Sequence, residues 1–443
     1  MNNKNLAVID FEKYKKAIKK TEAIKQNGKV KQVVGLVIES LGPAAQIGEI
    51  CHIYISRDSL PVKAEVVGFR GNGVLLMPLG EMSGIKPNSE VITTGEFLTV
   101  NVSDNILGRV IDGLGCPMDD KGPIYTEKEY LVHNSPPNPL KRKRIEEHLA
   151  LGIKSIDATL TCGKGQRIGI FAGSGVGKST LLGMIARNTE ADVNVIALIG
   201  ERGREVRDFI EKDLGKDGLA KSVVIVATSD QPALVRLKGA FVATAIAEYF
   251  RDQGKDVMLM MDSVTRFAMA QREVGLAIGE PPATKGYTPS VFALLPKLLE
   301  RSGTSDIGTI TGLYTILVEA DDMNDPIADA VRSILDGHIV LSRKLASSNH
   351  YPPIDVLDSI SRLMIDVVPR EHSEAAGKLR DALATYKEAE DLINIGAYVQ
   401  GSNPKIDYAI SKIDDINAFL RQTVDEKVEY SWVVQALEKI FSD

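Results

Sequence analysis

Cysteine is scarce in this sequence of 443 residues, and long hydrophobic runs are missing. The three cysteines, Cys51, Cys116 and Cys162, lie far apart and form no CxxC pair. Neither a disulfide framework nor a zinc site is indicated, and reduced thiols are expected. No stretch approaches the roughly 18 to 20 consecutive apolar residues of a membrane-spanning helix. The N-terminus has lysines but no signal-peptide pattern, so a cytoplasmic protein is predicted.

Aromatic residues and positive charge are also low. Aromatics make up 5% of the chain and the formal net charge is −6. Such a chain lacks the strong positive field that attracts nucleic acid or anionic lipid, and no nucleic-acid partner is expected. Hydrophobic residues reach 44% and charged residues 25%, which is typical of globular proteins. The length predicts about three domains.

The N-terminal part of the chain divides into a lysine-rich segment and a β-rich one. In the segment 1–29, a few apolar residues recur at helical spacing, namely Phe11, Tyr14, Ala17 and Ile18. They predict either a solvated chain end or a short amphipathic helix that docks a partner. Over 30–100, short β-rich runs separated by Gly, Pro and Asn predict a small antiparallel β-barrel. The dipeptide Asn72-Gly73 predicts a hairpin turn within it.

After the predicted barrel, the sequence changes to an α/β pattern and then to a helical one. A Gly- and Pro-rich stretch within 101–144 predicts a linker into the core. Across the rest of 101–367, apolar runs alternate with helical stretches, which is typical of a parallel sheet covered on both faces. Over 368–443, apolar residues recur at steps of three and four, with a break at 401–404. A C-terminal helical domain with a central turn is expected.

The most specific motif lies between a β-run and a helix-forming run. It consists of Ala172, Gly173, Ser174, Gly175, Val176, Gly177, Lys178, Ser179 and Thr180. Glycines let successive backbone N–H groups turn toward phosphate oxygens, so this segment predicts the P-loop of an ATP site. Lys178 would reach the β- and γ-phosphates, and the Ser179 hydroxyl would hold Mg²⁺. The strict pattern begins with Gly where this chain has Ala172.

Two carboxylates follow apolar runs in the same α/β segment. Asp262 ends the run 257–261, as expected of the metal-side carboxylate in phosphoryl transfer, although such an Asp alone could equally cap a helix. Glu201 follows the run 195–199, at the sheet edge where open α/β folds bind ligands. It is the candidate that orients or deprotonates water, and a solvated charged turn is the alternative. Together with the P-loop, these residues predict ATP hydrolysis.

Several longer segments resemble the catalytic subunits of rotary ATPases and their relatives. They are GERGRE from Gly200, DSVTRFA from Asp262, GEPP from Gly279, and the stretch 334–363. Within that superfamily, the segments FAGSGVGKSTLLGMIA and TKGYTPSVFALLPKLLERSG are most similar to the flagellar type III export ATPases. The resemblance runs from about residue 30 to the C-terminus. It implies a RecA-like P-loop core preceded by a β-barrel and followed by a helical domain.

The resemblance also implies roles for individual residues. Glu201 corresponds to the carboxylate that activates the attacking water, and Arg202 to a residue near the γ-phosphate. Tyr351 matches an aromatic that packs on adenine, and Arg362 matches the arginine finger inserted into a neighbouring subunit's site. A finger that acts in trans implies a homohexameric ring. Without the resemblance, Arg362 would more often be an ion-paired arginine and Tyr351 a core residue.

Partners and place of action are implied in the same way. The resemblance implies a regulatory stator protein at the N-terminal segment and a coiled-coil stalk protein at the C-terminal domain. It also implies chaperone-bound export substrates and peripheral association with a membrane export gate. The turn at 401–406 lacks the acidic run of synthase-like relatives, which favours an export ATPase over a rotary synthase subunit. An injectisome ATPase shares nearly every motif and stays open.

Two further classes of protein share a P-loop core. A motor that moves along RNA would normally carry a basic, aromatic-rich strand platform for stacking bases. This acidic chain has one Trp and few other aromatics, which argues against that class. A non-catalytic ring subunit would bind nucleotide without turning it over. Glu201 argues against that class, because non-catalytic relatives usually carry a different residue there.

Overall fold

A computed structural model describes residues 27–56, 60–126, 128–318, 322 and 324–442, together with Phe11 and Lys15. The amphipathic helix predicted within 1–29 therefore lies outside the described residues apart from these two positions. The chain divides into two compact units, Met1–Phe97 and Leu98–Asp443.

The described residues of the first unit form a closed barrel of six strands. They are β1 (Gly28–Val34), β2 (Val37–Leu41), β3 (Glu49–Tyr54), β4 (Val62–Arg70), β5 (Gly73–Pro78) and β6 (Glu90–Phe97). The order around the barrel is β1-β2-β5-β4-β3-β6, and Val, Ile and Leu side chains fill its interior. The predicted barrel is confirmed. The β4–β5 hairpin turns at Gly71-Asn72, one residue earlier than predicted, because Gly71 supplies the positive φ, at 57°.

The second unit is built around a mostly parallel sheet. Its strands are β7 (Thr99–Val102), β8 (Val110–Asp112), β9 (Lys128–Leu131), β10 (His148–Leu149), β11 (Cys162–Gly163), β12 (Arg167–Ala172), β13 (Val193–Ile199), β14 (Ser222–Ala227), β15 (Asp256–Asp262), β16 (Gly303–Thr304), β17 (Thr309–Leu317), β18 (Gly337–Leu341) and β19 (Ile354–Ser361). The main sheet has the order β19-β18-β12-β17-β15-β13-β14-β8, and β16 pairs with β17. β19 and β16 pair antiparallel, and the other neighbours are parallel. The predicted parallel sheet is confirmed.

The segment 101–144, predicted as a linker, is more ordered than expected. Within it, β8 pairs parallel with β14 and extends the main sheet, while β9 pairs antiparallel with β7. A strand of three residues is too short for its hydrophobic periodicity to be recognised in the sequence. Its pairing depends on the exposed edge of β14, which only the folded sheet provides.

Helices cover both faces of this sheet and form the C-terminal region. They are α1 (Lys154–Thr159), α2 (Lys178–Asn188), α3 (Gly203–Asp208), α4 (Gly215–Ala220), α5 (Ala233–Arg251), α6 (Val264–Ile278), α7 (Pro289–Leu299), α8 (Pro326–Ile334), α9 (Arg343–Ser347), α10 (Met364–Val367), α11 (Arg370–Asn394), α12 (Pro404–Leu420) and α13 (Tyr430–Ile440). A π-helical turn, Phe209–Leu214, joins α3 to α4. Within the described part of the chain, no helix combines the length and apolarity needed to cross a bilayer.

The C-terminal region is helical, as predicted. α11, α12 and α13 share an apolar core that includes Leu379, Ile416 and Leu437. Pro404 opens α12, and the Asn403 side chain accepts a hydrogen bond from the Lys405 N–H at 3.0 Å. The break predicted at 401–404 therefore corresponds to a helix start, since Pro is tolerated at a first helical position and Asn caps it.

A buried ion pair connects α5 with the residues that directly follow α7 and β9. Arg301 donates from Nε and Nη2 to the Glu248 carboxylate at 2.9 and 2.7 Å, and both side chains are 1% exposed. Arg301 Nη1 also donates to the Val132 carbonyl at 2.7 Å. The guanidinium is therefore held by a bidentate carboxylate contact and a backbone acceptor, which is the geometry that compensates a buried charge.

Replacing Arg301 with Met is expected to lower the free energy of unfolding by about 3–5 kcal/mol, because Glu248 would keep an uncompensated buried charge. Urea unfolding followed by circular dichroism measures the change. The double variant Arg301→Met/Glu248→Met removes both charges and is expected to recover most of the loss. A single variant within about 1 kcal/mol of the wild type would contradict a strongly coupled pair.

Candidate functional site

The ends of three strands carry the predicted ATP-site residues. β12 leads into the glycine-rich turn and α2, β13 ends two residues before Glu201, and β15 ends at Asp262. These strands belong to one parallel set, with β17 between β12 and β15. Their carboxyl ends therefore meet at a single edge of the sheet, where open α/β folds place ligands.

The glycine-rich segment forms the turn between β12 and α2. Gly175 and Gly177 have φ of 78° and 94°, in the left-handed region that residues with a Cβ rarely adopt. α2 begins at Lys178, so the N–H groups of its first turn lack intrahelical acceptors and suit an anionic phosphate. Ala172 is the last residue of β12 and pairs with β17 and β18. Its extended backbone needs no glycine, which explains how the chain departs from the strict motif.

Lys178 joins the two candidate carboxylates. Its Nζ donates a hydrogen bond to Asp262 Oδ1 and lies 3.7 Å from Glu201 Oε1. All three side chains are largely buried, with 12%, 14% and 5% exposure for Lys178, Glu201 and Asp262. Residues from three separate parts of the sequence thus form one charged cluster beside the P-loop. Ser179 is exposed in the first turn of α2, next to this cluster in the chain.

Thr315 is a site residue that sequence reasoning missed. It lies on β17, between the P-loop strand and the strand of Asp262, and its Oγ1 donates to Asp262 Oδ1 at 2.8 Å. Asp262 Oδ1 therefore accepts from both an ammonium and a hydroxyl. A threonine inside an apolar run is simply a good strand residue, so the sequence contained no signal for this contact.

Arg266 is a second residue that sequence reasoning missed, although its segment was recognised. A Cβ added at Gly200 would lie 2.9 to 3.3 Å from the Arg266 side chain, so only glycine lets the arginine pack beside the Glu201 turn. Among the described residues, the buried Arg266 Nε has no hydrogen-bond partner. An unused Nε donor on a guanidinium beside the Glu201 turn is suited to an anionic ligand.

The environment of Glu201 makes its carboxyl more basic. Burial, and then repulsion from Asp262, raise the pKa of Glu201 above its ordinary range, while the Lys178 ammonium opposes this shift. A general base works best when its pKa approaches the working pH. Glu201 is therefore suited to accept a proton from a water near neutral pH.

Arg202 and Tyr351 lie in different surroundings. Arg202 is 77% exposed, and its ion pair, at 3.4 Å, is with Glu205 rather than with a carboxylate of the Lys178 cluster. The Tyr351 ring lies beside the P-loop, because a Cβ added at Gly177 would be 3.9 Å from Tyr351 Cε1. The structure thus brings the Tyr351 ring next to the phosphate-binding turn, whereas Arg202 pairs with Glu205.

Arg362 lies at the opposite edge of the sheet from its own P-loop. It directly follows β19, which is antiparallel to β18, and Gly337 at the start of β18 pairs with both Ser361 and Ile168. The P-loop end of β12 is instead marked by Ala172, which pairs with Leu341. Four residue steps along β12 separate these edges by about 13 Å. The exposed Arg362 is therefore remote from the Lys178 cluster of the same chain.

Fold and site together define a P-loop ATPase with a barrel and a helical region around its nucleotide-binding core. Family models match all three parts. The beta-barrel domain of the ATP synthase alpha/beta family matches residues 30–95, and its nucleotide-binding domain matches 152–361. The T3SS EscN ATPase C-terminal domain matches 368–439.

Similar proteins extend over nearly the whole chain. The flagellum-specific ATP synthase of Bacillus subtilis is 59% identical over 430 residues, covering 96% of this chain and 97% of that relative. The type 3 secretion system ATPase of Xanthomonas euvesicatoria is 52% identical over 416 residues, or 94% of each chain. The chain therefore belongs to the flagellar and type III secretion ATPases of the ATP synthase alpha/beta family. The predicted ATP hydrolase activity and the resemblance are confirmed.

Solved structures agree with this assignment. The assembled ATPase EscN from the enteropathogenic E. coli type III secretion system has a TM-score of 0.89 and 49% identity, and it covers 93% of this chain and 99% of that one. EscN in complex with its central stalk EscO has a TM-score of 0.86 and 48% identity, with the same coverage. The order of barrel, nucleotide-binding core and helical region is thus confirmed.

Replacing Glu201 with Gln is expected to stabilise the nucleotide-free protein at neutral pH. Folding raises the pKa of this carboxyl, so its ionisation at higher pH destabilises the folded state. The destabilisation begins as the pH rises above the pKa of the unfolded chain, near 4.5, and is complete above the pKa of the folded protein. The gain in unfolding free energy is expected on the order of 1–3 kcal/mol at pH 8 and close to zero at pH 4.5. Urea unfolding at both pH values measures it.

Glu211→Gln is the matched control, because Glu211 is exposed and pairs with Arg207 on the surface. It is expected to change stability by less than about 0.5 kcal/mol at either pH. A gain for Glu201→Gln that is the same at both pH values would show that charge burial is not its cause.

Proposed function

We propose that this chain works as a homohexameric, ATP-driven motor of the flagellar type III export apparatus. In this role it helps unload export chaperones and deliver substrates to the membrane gate. The position of Arg362 carries the proposal, since an exposed arginine at the edge opposite its own P-loop is placed to serve a neighbour. A head-to-tail contact between copies brings one edge of the sheet toward the other edge of the next copy, and such contacts form a ring when the rotation between copies closes.

The proposed chemistry assigns each site residue a step. Lys178 moves from the carboxylates to the β- and γ-phosphates of ATP, and Arg266 offers its unused donor to the same anion. Glu201 orients a water and takes its proton. Arg362 of the neighbouring copy compensates the charge that develops on the γ-phosphate, a contribution of about 10³ to 10⁵ in rate. The Tyr351 ring packs on adenine, and Arg202 acts near the γ-phosphate only if its side chain leaves Glu205.

Ser179 and Asp262 are proposed to hold Mg²⁺ with the nucleotide. Both offer hard oxygen ligands, and the Asp262 carboxylate already attracts the Lys178 ammonium. Across the described ranges, no group of three or more His, Cys, Asp or Glu could hold a metal by itself. This fits Mg²⁺, which uses one or two protein oxygens together with phosphates and waters. When bound, the ion would neutralise charge on the β- and γ-phosphates.

The flagellar assignment is supported by the higher identity to the flagellum-specific relative, at 59%, than to the secretion ATPase, at 52%. The alternative is an injectisome ATPase. It is favoured by the match of the C-terminal region to the EscN-type domain and by the likeness to assembled EscN. The catalytic proposal is the same for both systems, and they differ in the substrates that are exported.

The proposed stalk partner is supported by an exposed apolar turn. Between α11 and α12, Ile395 and Val399 are 75% and 70% exposed, and Leu392 and Tyr408 are partly exposed nearby. Exposed apolar clusters of this kind mark protein contacts, and EscN has been solved with its central stalk EscO. The stator protein at the N-terminal segment, the chaperone-bound substrates and the peripheral position at the membrane gate are proposed from family resemblance.

Mixing two inactive variants tests whether Arg362 acts on a neighbouring copy. Arg362→Ala keeps its own Lys178 cluster, while Glu201→Gln keeps its arginine. Each alone is expected to lose at least about 100-fold in ATP turnover. In a mixed ring, a site is complete when its own copy carries Arg362→Ala and the neighbour that supplies the arginine carries Glu201→Gln. With equal mixing, about one site in four has this arrangement, so up to about a quarter of the wild-type rate is expected to return. Phosphate release and sizing of the same samples measure this.

Arg370→Ala is the matched control, since Arg370 is exposed and pairs with Glu374 four residues further along the same helix. It is expected to turn over ATP like the wild type. Mixed rings that contain both variants and yet stay as inactive as either variant alone would contradict the action of Arg362 in trans.

In cells, a chromosomal Glu201→Gln substitution separates the two export systems. If the chain serves flagellar export, the cells are expected to lose external filaments and swimming, because export stops while the protein still assembles. Filament staining and secreted-protein assays measure both pathways. Normal filaments together with loss of injectisome secretion would overturn the flagellar assignment in favour of the alternative.

A further inference from the structure

Gln422 uses all of its side-chain hydrogen-bonding groups at a junction between parts of the second unit. It lies just after α12 and is 5% exposed. Its Oε1 accepts from the Lys154 N–H at 2.9 Å, and its Nε2 donates to the carbonyls of Gly152 and Glu426 at 2.9 and 3.0 Å. The side chain thus fastens the chain after α12 to the segment that leads into α1. A buried amide satisfied in this way is costly to replace.

The backbone of the same residue reaches the nucleotide site. The Gln422 N–H donates to the Tyr351 carbonyl at 2.9 Å. The Tyr351 ring in turn lies close to Gly177 of the P-loop. One residue of the helical region therefore contacts both the base of α1 and the backbone of the tyrosine beside the phosphate-binding turn.

Side chains of α1 and α2 also contact the segment 421–426, which contains Gln422. Lys154 Nζ donates to the Arg421 carbonyl at 3.3 Å and forms an ion pair with Glu426. Arg187, near the end of α2, donates from Nη2 to the Val424 carbonyl at 2.8 Å. The segment 421–426 is thereby attached to α1 and to the P-loop helix, and Gln422 is its most buried polar side chain.

We propose that Gln422 is a positioning residue for nucleotide binding. By locking the segment 421–426 onto the core, it keeps its own N–H on the Tyr351 carbonyl and so holds the ring where the base binds. The inference rests on the proposed function, in which Tyr351 packs on adenine. It assigns the helical region a direct connection to the base-binding side of the site, independent of the phosphate contacts of Lys178.

Gln422→Met keeps the side-chain volume but removes every side-chain hydrogen bond of this residue, and Gln422→Glu keeps the acceptor while losing both side-chain donors. Each is expected to weaken ADP affinity and raise the KM for ATP by about five- to tenfold, with kcat within about twofold of the wild type. Binding of inorganic triphosphate, which has no base, is expected to stay unchanged. Calorimetry with ADP and with triphosphate measures the difference, and thermal unfolding shows that each variant is folded.

Two comparisons separate positioning from a merely structural role. Gln271→Met is the matched control, because Gln271 is a glutamine of α6, 8% exposed, whose Nε2 donates to Ser290 Oγ at 2.9 Å. It is expected to leave ADP affinity unchanged. In the double variant Gln422→Met/Tyr351→Ala, the losses are expected not to add, because both substitutions act through the contact of the Tyr351 ring with the base.

The outcomes distinguish a wrong role for Tyr351 from a wrong role for Gln422. If Tyr351→Ala itself leaves ADP affinity unchanged, the base contact in the proposed function is wrong, and this inference falls with it. If Tyr351→Ala weakens ADP binding but both Gln422 variants do not, the inference alone is overturned. Equal weakening of ADP and triphosphate, or fully additive losses, would also overturn it, since the effect would then not pass through Tyr351.

Discussion

The Lys178 ammonium sits between two carboxylates that would otherwise repel each other at the end of the sheet. Glu201 and Asp262 are both largely buried. Two such carboxyl groups cannot both ionise unless a cation lies beside them, and otherwise one of them keeps its proton. Lys178 supplies that cation from the first residue of α2. The same arrangement leaves Glu201 with a raised pKa, because burial and Asp262 outweigh the lysine. The charges that oppose stability are therefore those that the proposed hydrolytic chemistry uses.

This cluster exists only because the strands that carry it are parallel. β12, β13 and β15 all end at one edge, and β17 passes between two of them to bring Thr315 to Asp262. The reversal of direction at β19 has the opposite effect, since it sends Arg362 to the far edge. One chain thus carries the phosphate-binding half of a site and, about 13 Å away along the strands, the arginine proposed to complete another. A shared site is a natural consequence of this topology.

The helical region packs on the core through apolar side chains and is also attached to it by specific hydrogen bonds. Gln422 contacts the segment before α1 through its side chain and Tyr351 through its backbone. The apolar turn around Ile395 lies at the other end of α11 and α12. These two helices therefore connect an exposed surface suited to a protein partner with a contact beside the nucleotide site. Such a connection gives the helical region a physical means to influence nucleotide binding.

The sequence by itself determined the local features whose signals are short in range. The P-loop was predicted from the glycines at 173, 175 and 177 and the Lys178 that follows them. The strand ends were predicted from apolar runs that end in Asp262 or precede Glu201. The barrel was predicted from a series of short β-rich runs. Tertiary structure alone decided what depends on distant partners. β8 pairs only with the edge of β14 that the folded sheet provides. Thr315 and Arg266 are recognised as site residues only by their contacts with Asp262 and Gly200. Gln422 binds Lys154 across 268 residues of sequence. Periodicity records which face of an element is buried, whereas hydrogen-bond partners far apart in the chain are chosen only when the sheet and helices have packed.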